Sequence, residues 1–262
     1  MVANHLLPPS AVGDLASTDG RSFLETTADW VADLLDAADL ERGDRVLDLT
    51  DGTGAVARAI RDRVQPGGTT SLVDAASLRG RSARLPYPDA SFDAVLSLHT
   101  LEAFADRGRP LAELRRVLSA GGRLALAVWG PIAENPAFAA LADSLRHRGG
   151  VRAEAAVHWL SSLSQPDDLR ALLGAAGFDH FSASRRRTVA MVTSAEELLW
   201  WLLGMFPIGE AVRTLPAEER ERIASDLERV LEQDAHVVAF TTDVHAACVP
   251  DQGERGSGSG TG

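Results

Sequence analysis

The stretch Arg45-Val46-Leu47-Asp48-Leu49-Thr50-Asp51-Gly52-Thr53-Gly54 holds the residue types and spacing with the clearest chemical meaning in the chain. Val46 to Leu49 is a short apolar run with the length and branching of a buried parallel strand. Thr50 to Gly54 is a turn of small residues, and Ala55 to Ile60 reads as the first turns of a helix. Backbone N–H groups at such a helix start have no intrahelical partners and favour an electron-rich ligand. The turn glycines let that ligand come close to the main chain. A nucleotide-like cofactor suits this arrangement, and an ordinary tight βα turn is the competing reading. Asp74 is a second candidate, because it closes the β-branched run Thr69 to Val73. An acid at that point of a nucleotide fold accepts hydrogen bonds from ribose hydroxyls. Asp74-Ala75-Ala76-Ser77 reads equally well as the start of a turn.

The elements that must position these residues follow from periodicity. Apolar residues at Phe23, Trp30, Val31, Leu34 and Leu35 predict a helix over 22–38. The helix after the glycine turn runs to about Val64, where Gln65-Pro66-Gly67-Gly68 ends it. Ala94 to Leu98 is a further buried strand, Leu101 to Leu118 has helical spacing stopped by Ser119-Ala120-Gly121-Gly122, and Arg123 to Trp129 is the next strand. This β-α-β-α alternation with short connections specifies an α/β fold with a mostly parallel, doubly wound sheet. Beyond it, Asn135 to Arg148 and Gln165 to Ala176 read as helices, and Gly149 to Ser164 as irregular. Phe181 to Val192 reads as an edge strand containing Arg185-Arg186-Arg187. Two more helices, Ser194 to Met205 and Pro216 to Gln233, precede a last strand, His236 to Val249. Residues 1–20 are expected to form a loose lead-in, and residues 251–262 a flexible Gly/Ser tail.

Bulk properties exclude several functions. A net charge of −11 argues against a nucleic-acid surface, which needs a clustered basic face. No run approaches the length of a membrane span, and no basic segment precedes an apolar core at the N-terminus. The single cysteine, Cys248, cannot form an internal disulfide, so a cytoplasmic protein is expected. All 26 basic residues are arginine, which excludes Schiff-base catalysis by lysine. The seven histidines are scattered, with no metal-binding spacing, so no metal is expected.

Four segments, VLDLTDGTG (46–54), PGGTTSLVD (66–74), LPYPDASFDAVLS (85–97) and LAELRRVLSAGGRLALAVW (111–129), closely resemble the class I S-adenosylmethionine (SAM) dependent methyltransferases. The likeness is to the small-molecule group that includes the ubiquinone/menaquinone enzymes, and it extends through WGPIAENPAFAALADSLR and DDLRALLGAAGF to Phe178. It implies a Rossmann-like seven-stranded sheet whose last strand is antiparallel. It also implies one domain over 21–250, with a cofactor half at 45–130 and a helical acceptor-side lid at 131–235. Asp48, Gly52 and Gly54, with Thr50 in the same turn, match the motif that cradles SAM. Asp74 matches the acid that holds the ribose. Ser97, Leu98 and His99 match the end of the fourth strand, beside the transferring methyl group.

Four departures stand out against that pattern. Thr50 occupies a glycine position, and Asp51 replaces a small neutral residue. Only ten residues, Ala75 to Arg84, separate Asp74 from Leu85, too few for the helix and third strand of the family. Gly80-Arg81-Ser82-Ala83-Arg84 stands where the family has an adenine-binding acid, and Arg81 has only donors. Glu102 and Ala103 replace paired histidines, leaving His99 as a candidate general base on a hydroxyl. Two functions follow. One is methyl transfer from SAM to a small, quinone-like or specialised-metabolite acceptor, with SAM binding weakened by the shortening. In the other, the fold has lost methyl transfer and serves as a cyclase-like catalyst or a partner subunit. An NAD(P) oxidoreductase fits less well, because Ala55 to Ala59 lacks the third glycine that pattern needs.

Overall fold

The computed structural model describes residues 23–49, 55–74, 78, 84–148, 150–205, 208–233 and 237–250. The lead-in, the turn 50–54 and the tail lie outside them, as does Arg81. Six strands form one sheet: β1 (Arg45–Asp48), β2 (Thr69–Leu72), β3 (Phe92–Leu98), β4 (Leu118–Trp129), β5 (Asp179–Met191) and β6 (Val237–Cys248), in the order β2-β1-β3-β4-β6-β5. The β2-β1, β1-β3 and β3-β4 pairs are parallel. β6 runs antiparallel to β4, since Gly121 and Gly122 bond Val249 while Gly130 bonds Thr241. Among the described residues the sheet has six strands where the resemblance implies seven, and none lies between β2 and β3.

The chain divides into two compact units. Cuts fall inside α1 (Phe23–Ala37), β4, β5 and β6, and another falls just before Pro166. One unit comprises Val31–Val128, Pro166–Ser184 and Asp243–Gly262. Its core is built by helical spacing on one side of the sheet: Val31, Leu34, Leu35 and Ala38, with Val56, Ile60 and Val64 of α2 (Ala55–Val64). They pack on Val46, Ala94, Leu96, Ala125, Ala127 and Val244, the alternate residues of β1, β3, β4 and β6. Leu47 and Val95, one residue out of phase, point to the opposite face and are also fully buried.

In the same unit α3 (Gly108–Val117) fastens the LPYPDASFD segment that leads into β3. Glu113 accepts the Leu85 N–H at 2.6 Å and the Arg116 guanidinium at 2.6 and 2.8 Å. Arg116 also donates to the Tyr87 carbonyl and to Asp89. The Arg116 bonds, helped by the Leu85 N–H, hold the Glu113 carboxyl below its ordinary range. Helix α6 (Pro166–Ala175) belongs to this unit too, and Arg115 reaches from α3 to the carbonyl of Gly177 beyond its end.

The second unit, Met1–Trp30, Trp129–Gln165 and Arg185–Thr242, is mainly helical, with α4 (Pro136–Arg148), α5 (Val151–Leu160), α7 (Ala195–Gly204), α8 (Ile208–Arg213) and α9 (Ala217–Gln233). Aromatic rings make its core. Trp129 meets Trp30 and Phe138 edge-on at 5.3 and 5.0 Å, and Trp201 meets Phe240 at 4.9 Å. The fully buried Asn135 accepts the Thr241 N–H at 2.8 Å and donates to the Pro131 carbonyl at 2.9 Å, closing the turn after β4. Arg185 pairs with Glu134, and the three consecutive arginines of β5 charge an edge strand, which discourages its pairing with other chains.

The structure corrects three expectations. Gly149 to Ser164 is not irregular, because α5 occupies most of it. Leu101 to Leu118 is not one helix: a 3-10 turn, Leu101–Ala103, is separated from α3 by an extended Phe104. Ser119 to Gly122 does not precede the strand but lies within β4, where Phe92 pairs Leu118 and Ala94 pairs Arg123 across a bulge.

Candidate active site

Parallel strands end together, so their carboxyl ends gather residues distant in sequence. The chain leaves β1 to one side for β2 and later returns on the other side as β3, which makes the β1/β3 boundary a topological switch point, where open α/β sheets bind ligands. Asp48 stands there at the end of β1, level with Leu72 and Leu96, and is fully buried. Its carbonyl accepts the Val73 N–H at 3.0 Å. Asp74 follows at the end of β2 and is exposed. Ser97, buried, and Leu98, half-buried, finish β3. Thr50, Gly52 and Gly54 lie outside the described residues, so the structure brings together Asp48, Asp74, Ser97, Leu98 and His99 from the expected set.

His99 sits where the chain turns off β3. Its N–H bonds the Ala127 carbonyl at 2.8 Å, and its φ of 49° is a left-handed conformation uncommon for a side chain of this size. That turn places its Nδ1 3.6 Å from Oε1 of Glu102, one step along the 3-10 turn. The Glu102 carboxylate is 1% exposed and the imidazole 13% exposed, with both ring nitrogens buried. Glu102 also acts on Arg107: burial lowers the Arg107 guanidinium below its usual value, and attraction to Glu102 opposes that shift.

Two residues of the site escaped the reading of the sequence. Thr100 is buried, and its hydroxyl lies 2.9 Å from the Leu49 carbonyl and 3.0 Å from that of Leu98. With the Leu49 N–H bonded to the Leu96 carbonyl at 2.9 Å, this fixes Leu49, the residue that enters the glycine turn. Glu102 was read only as a replaced histidine, although the spacing His99-x-x-Glu102 places both side chains on one face of a helical turn. In the region 131–235, Trp201 is core, Trp159, Trp200 and Met205 are half-buried, and Phe206 lies outside the described residues. Among the described residues no helix is long and apolar enough to cross a membrane.

Comparison with known proteins agrees with this geometry. Residues 37–126 match the family described as a methyltransferase domain. The chain is 34% identical over 124 residues to the ubiquinone/menaquinone biosynthesis C-methyltransferase UbiE of Bordetella avium, covering 40% of this chain and 48% of that protein. It is 40% identical over 105 residues to the demethylmenaquinone methyltransferase of Deinococcus radiodurans, covering 33% and 44%. The chain thus spans about half the length of these curated relatives. Among solved structures, the YcgJ protein of Bacillus subtilis superimposes with a TM-score of 0.52 at 16% identity, covering 86% of this chain and 99% of that one. A methyltransferase assigned to an antibiotic biosynthesis pathway of Anabaena variabilis gives 0.52 at 13% identity, covering 83% and 96%. Residues 37–126 are thus similar to a methyltransferase domain, and the chain shares the fold of these solved structures.

Proposed function

We propose that the chain binds SAM at the carboxyl ends of β1, β2 and β3 and methylates a small-molecule acceptor, quinone-like or a specialised metabolite. The observation that carries this reading is the convergence of Asp48, Asp74 and the Ser97–His99 turn at the switch point of the sheet. The residues fit the ligand chemically. Carboxylates only accept hydrogen bonds, and the ribose diol and ammonium group of SAM are donors. Asp74 would hold the ribose and Asp48 the region of the methionine moiety. Bound SAM supplies an already activated methyl group, so the protein's work is orientation, exclusion of water and removal of a proton from the acceptor. His99, at the end of β3, would take that proton.

A second reading, a fold that has lost methyl transfer, draws on one observation. β2 is an edge strand among the described residues, and its Leu72 is 51% exposed where the family's sheet continues. Incubation with methyl-labelled SAM and a panel of quinols, phenols and amines separates the two. The proposal expects labelled product from at least one small acceptor, abolished by S-adenosylhomocysteine. Absence of transfer to every class, with the protein folded and SAM bound, favours the second reading.

A further inference from the structure

We infer that the edge strand β5 docks a protein partner through an acidic, extended segment, which adds to the sheet alongside Arg185 to Val189. Three observations carry it. First, β5 is last in the strand order, and among the described residues no strand pairs with its outer side. Second, one face of β5 is open. Arg185, Arg187 and Val189 alternate along it and are all exposed. The other face anchors the strand: Thr188 is half-buried, accepts the Trp30 indole N–H at 2.8 Å, and is followed on that face by the buried Ala190. Third, β5 is 13 residues long and contains neither proline nor glycine. Proteins that only need to protect a sheet edge keep it short or interrupt it with proline or a bulge.

The charges decide what the strand accepts. A second copy of β5 laid antiparallel across the triplet would set arginine against arginine, which disfavours self-pairing. Arg185 is already held by Glu134 at 2.9 Å and by the Ser164 carbonyl at 3.3 Å, so its guanidinium is fixed in place. Arg187 is exposed two residues further along the same face. The triplet is thus a local basic spot on a chain of net charge −11. An extended peptide meets that spot alone, whereas a nucleic acid also spreads over the acidic remainder and is repelled. In the paired state, main-chain bonds along the outer edge of β5 supply affinity. Aspartate or glutamate at alternate positions, facing Arg185 and Arg187, supplies selectivity.

The test uses the full chain and needs neither SAM nor an acceptor. A fluorescent short peptide of alternating valine and glutamate is titrated at low salt and followed by anisotropy. Saturable binding at one site per chain is expected, with slower amide exchange at Arg185–Val189 when the peptide is bound. Arg187→Glu should weaken this binding about tenfold and gain affinity for the matching valine–lysine peptide. A misfolded variant would not show that reversal, and Arg187→Ala, with an unchanged circular dichroism spectrum, should fall between. Failure of the valine–glutamate peptide to bind overturns the inference. Equal binding of the valine–lysine peptide by the unaltered chain overturns the selection by charge. A peptide methylated on every internal backbone nitrogen keeps its carboxylates but has no ladder donors, so its equal binding overturns strand addition. Displacement of the acidic peptide by a thymidine oligonucleotide or by phosphatidylserine vesicles at lower concentration would assign the triplet to those anions and overturn the protein partner.

Discussion

Asp93 is the second residue of β3, and its carboxylate accepts three hydrogen bonds from Arg45: from the backbone N–H at 2.9 Å, Nε at 3.0 Å and Nη2 at 2.8 Å. The side-chain bonds to Arg45 are the largest influence and lower the Asp93 carboxyl to about 2, against the opposing effect of burial. The folded carboxyl therefore gives up its proton more readily than the unfolded one, whose value is about 3.9. Stability from this pair is complete above that unfolded value and is lost as the pH falls through about 2. Because the two side chains are 45% and 31% exposed, solvent screening cuts the contribution to about 1 kcal/mol. Asp93→Asn should lower the urea-unfolding free energy by that amount at neutral pH, with the difference from the unaltered protein shrinking below about pH 4. An undiminished difference at low pH would contradict the assignment. Thr100 makes a second prediction at this scale. Thr100→Val keeps the shape but leaves the Leu49 carbonyl without its hydroxyl donor, costing about 1–2 kcal/mol in denaturant unfolding. Since Leu49 enters the glycine turn, the same variant should bind SAM more weakly.

At the scale of elements, the link between α3 and the LPYPDASFD segment is made by one buried acid. Glu113→Gln keeps one acceptor but removes the charge that faces Arg116 and the Leu85 N–H. The expected loss is about 2–3 kcal/mol, read as a fall in the urea midpoint with an unchanged slope. A loss below a few tenths would mean that the segment is held by its apolar residues alone. Elements with a strong period were legible in the sequence, and α2 coincides with its predicted span. The misreadings have physical causes. In α5 the buried face is Ala153, Ala156, Val157 and Leu160, a helical spacing made weak by alanine, and the exposed Val151 blurs it further. The paired glycines after α3 look like a stop, but Gly121, at a φ of 70°, and Gly122 let β4 bulge and continue. Gly122 has no room for a Cβ, which would come 2.8 Å from the Ser119 carbonyl oxygen.

For the molecule as a whole, a mostly parallel, doubly wound sheet was readable from the βα alternation, because parallel strands need crossovers and crossovers have one hand. Asp74 was read from where its strand stops and Asp48 and Ser97 from the resemblance, and in the structure Asp48 and Ser97 lie at the carboxyl ends of β1 and β3 and Asp74 just beyond β2. The partnership of Thr100 with Leu49 was not legible, since it depends on how the turn off β3 folds back, and that is set by tertiary bonds to β1 and β4. The central claim is that the remaining carboxyl-end site still binds SAM, and isothermal titration calorimetry tests it most directly. The account predicts one site per chain for both SAM and S-adenosylhomocysteine, with Asp74→Ala weakening each by about tenfold or more, the loss of a charge-assisted bond to ribose. No heat of binding at millimolar ligand, or binding indifferent to Asp74, would contradict it.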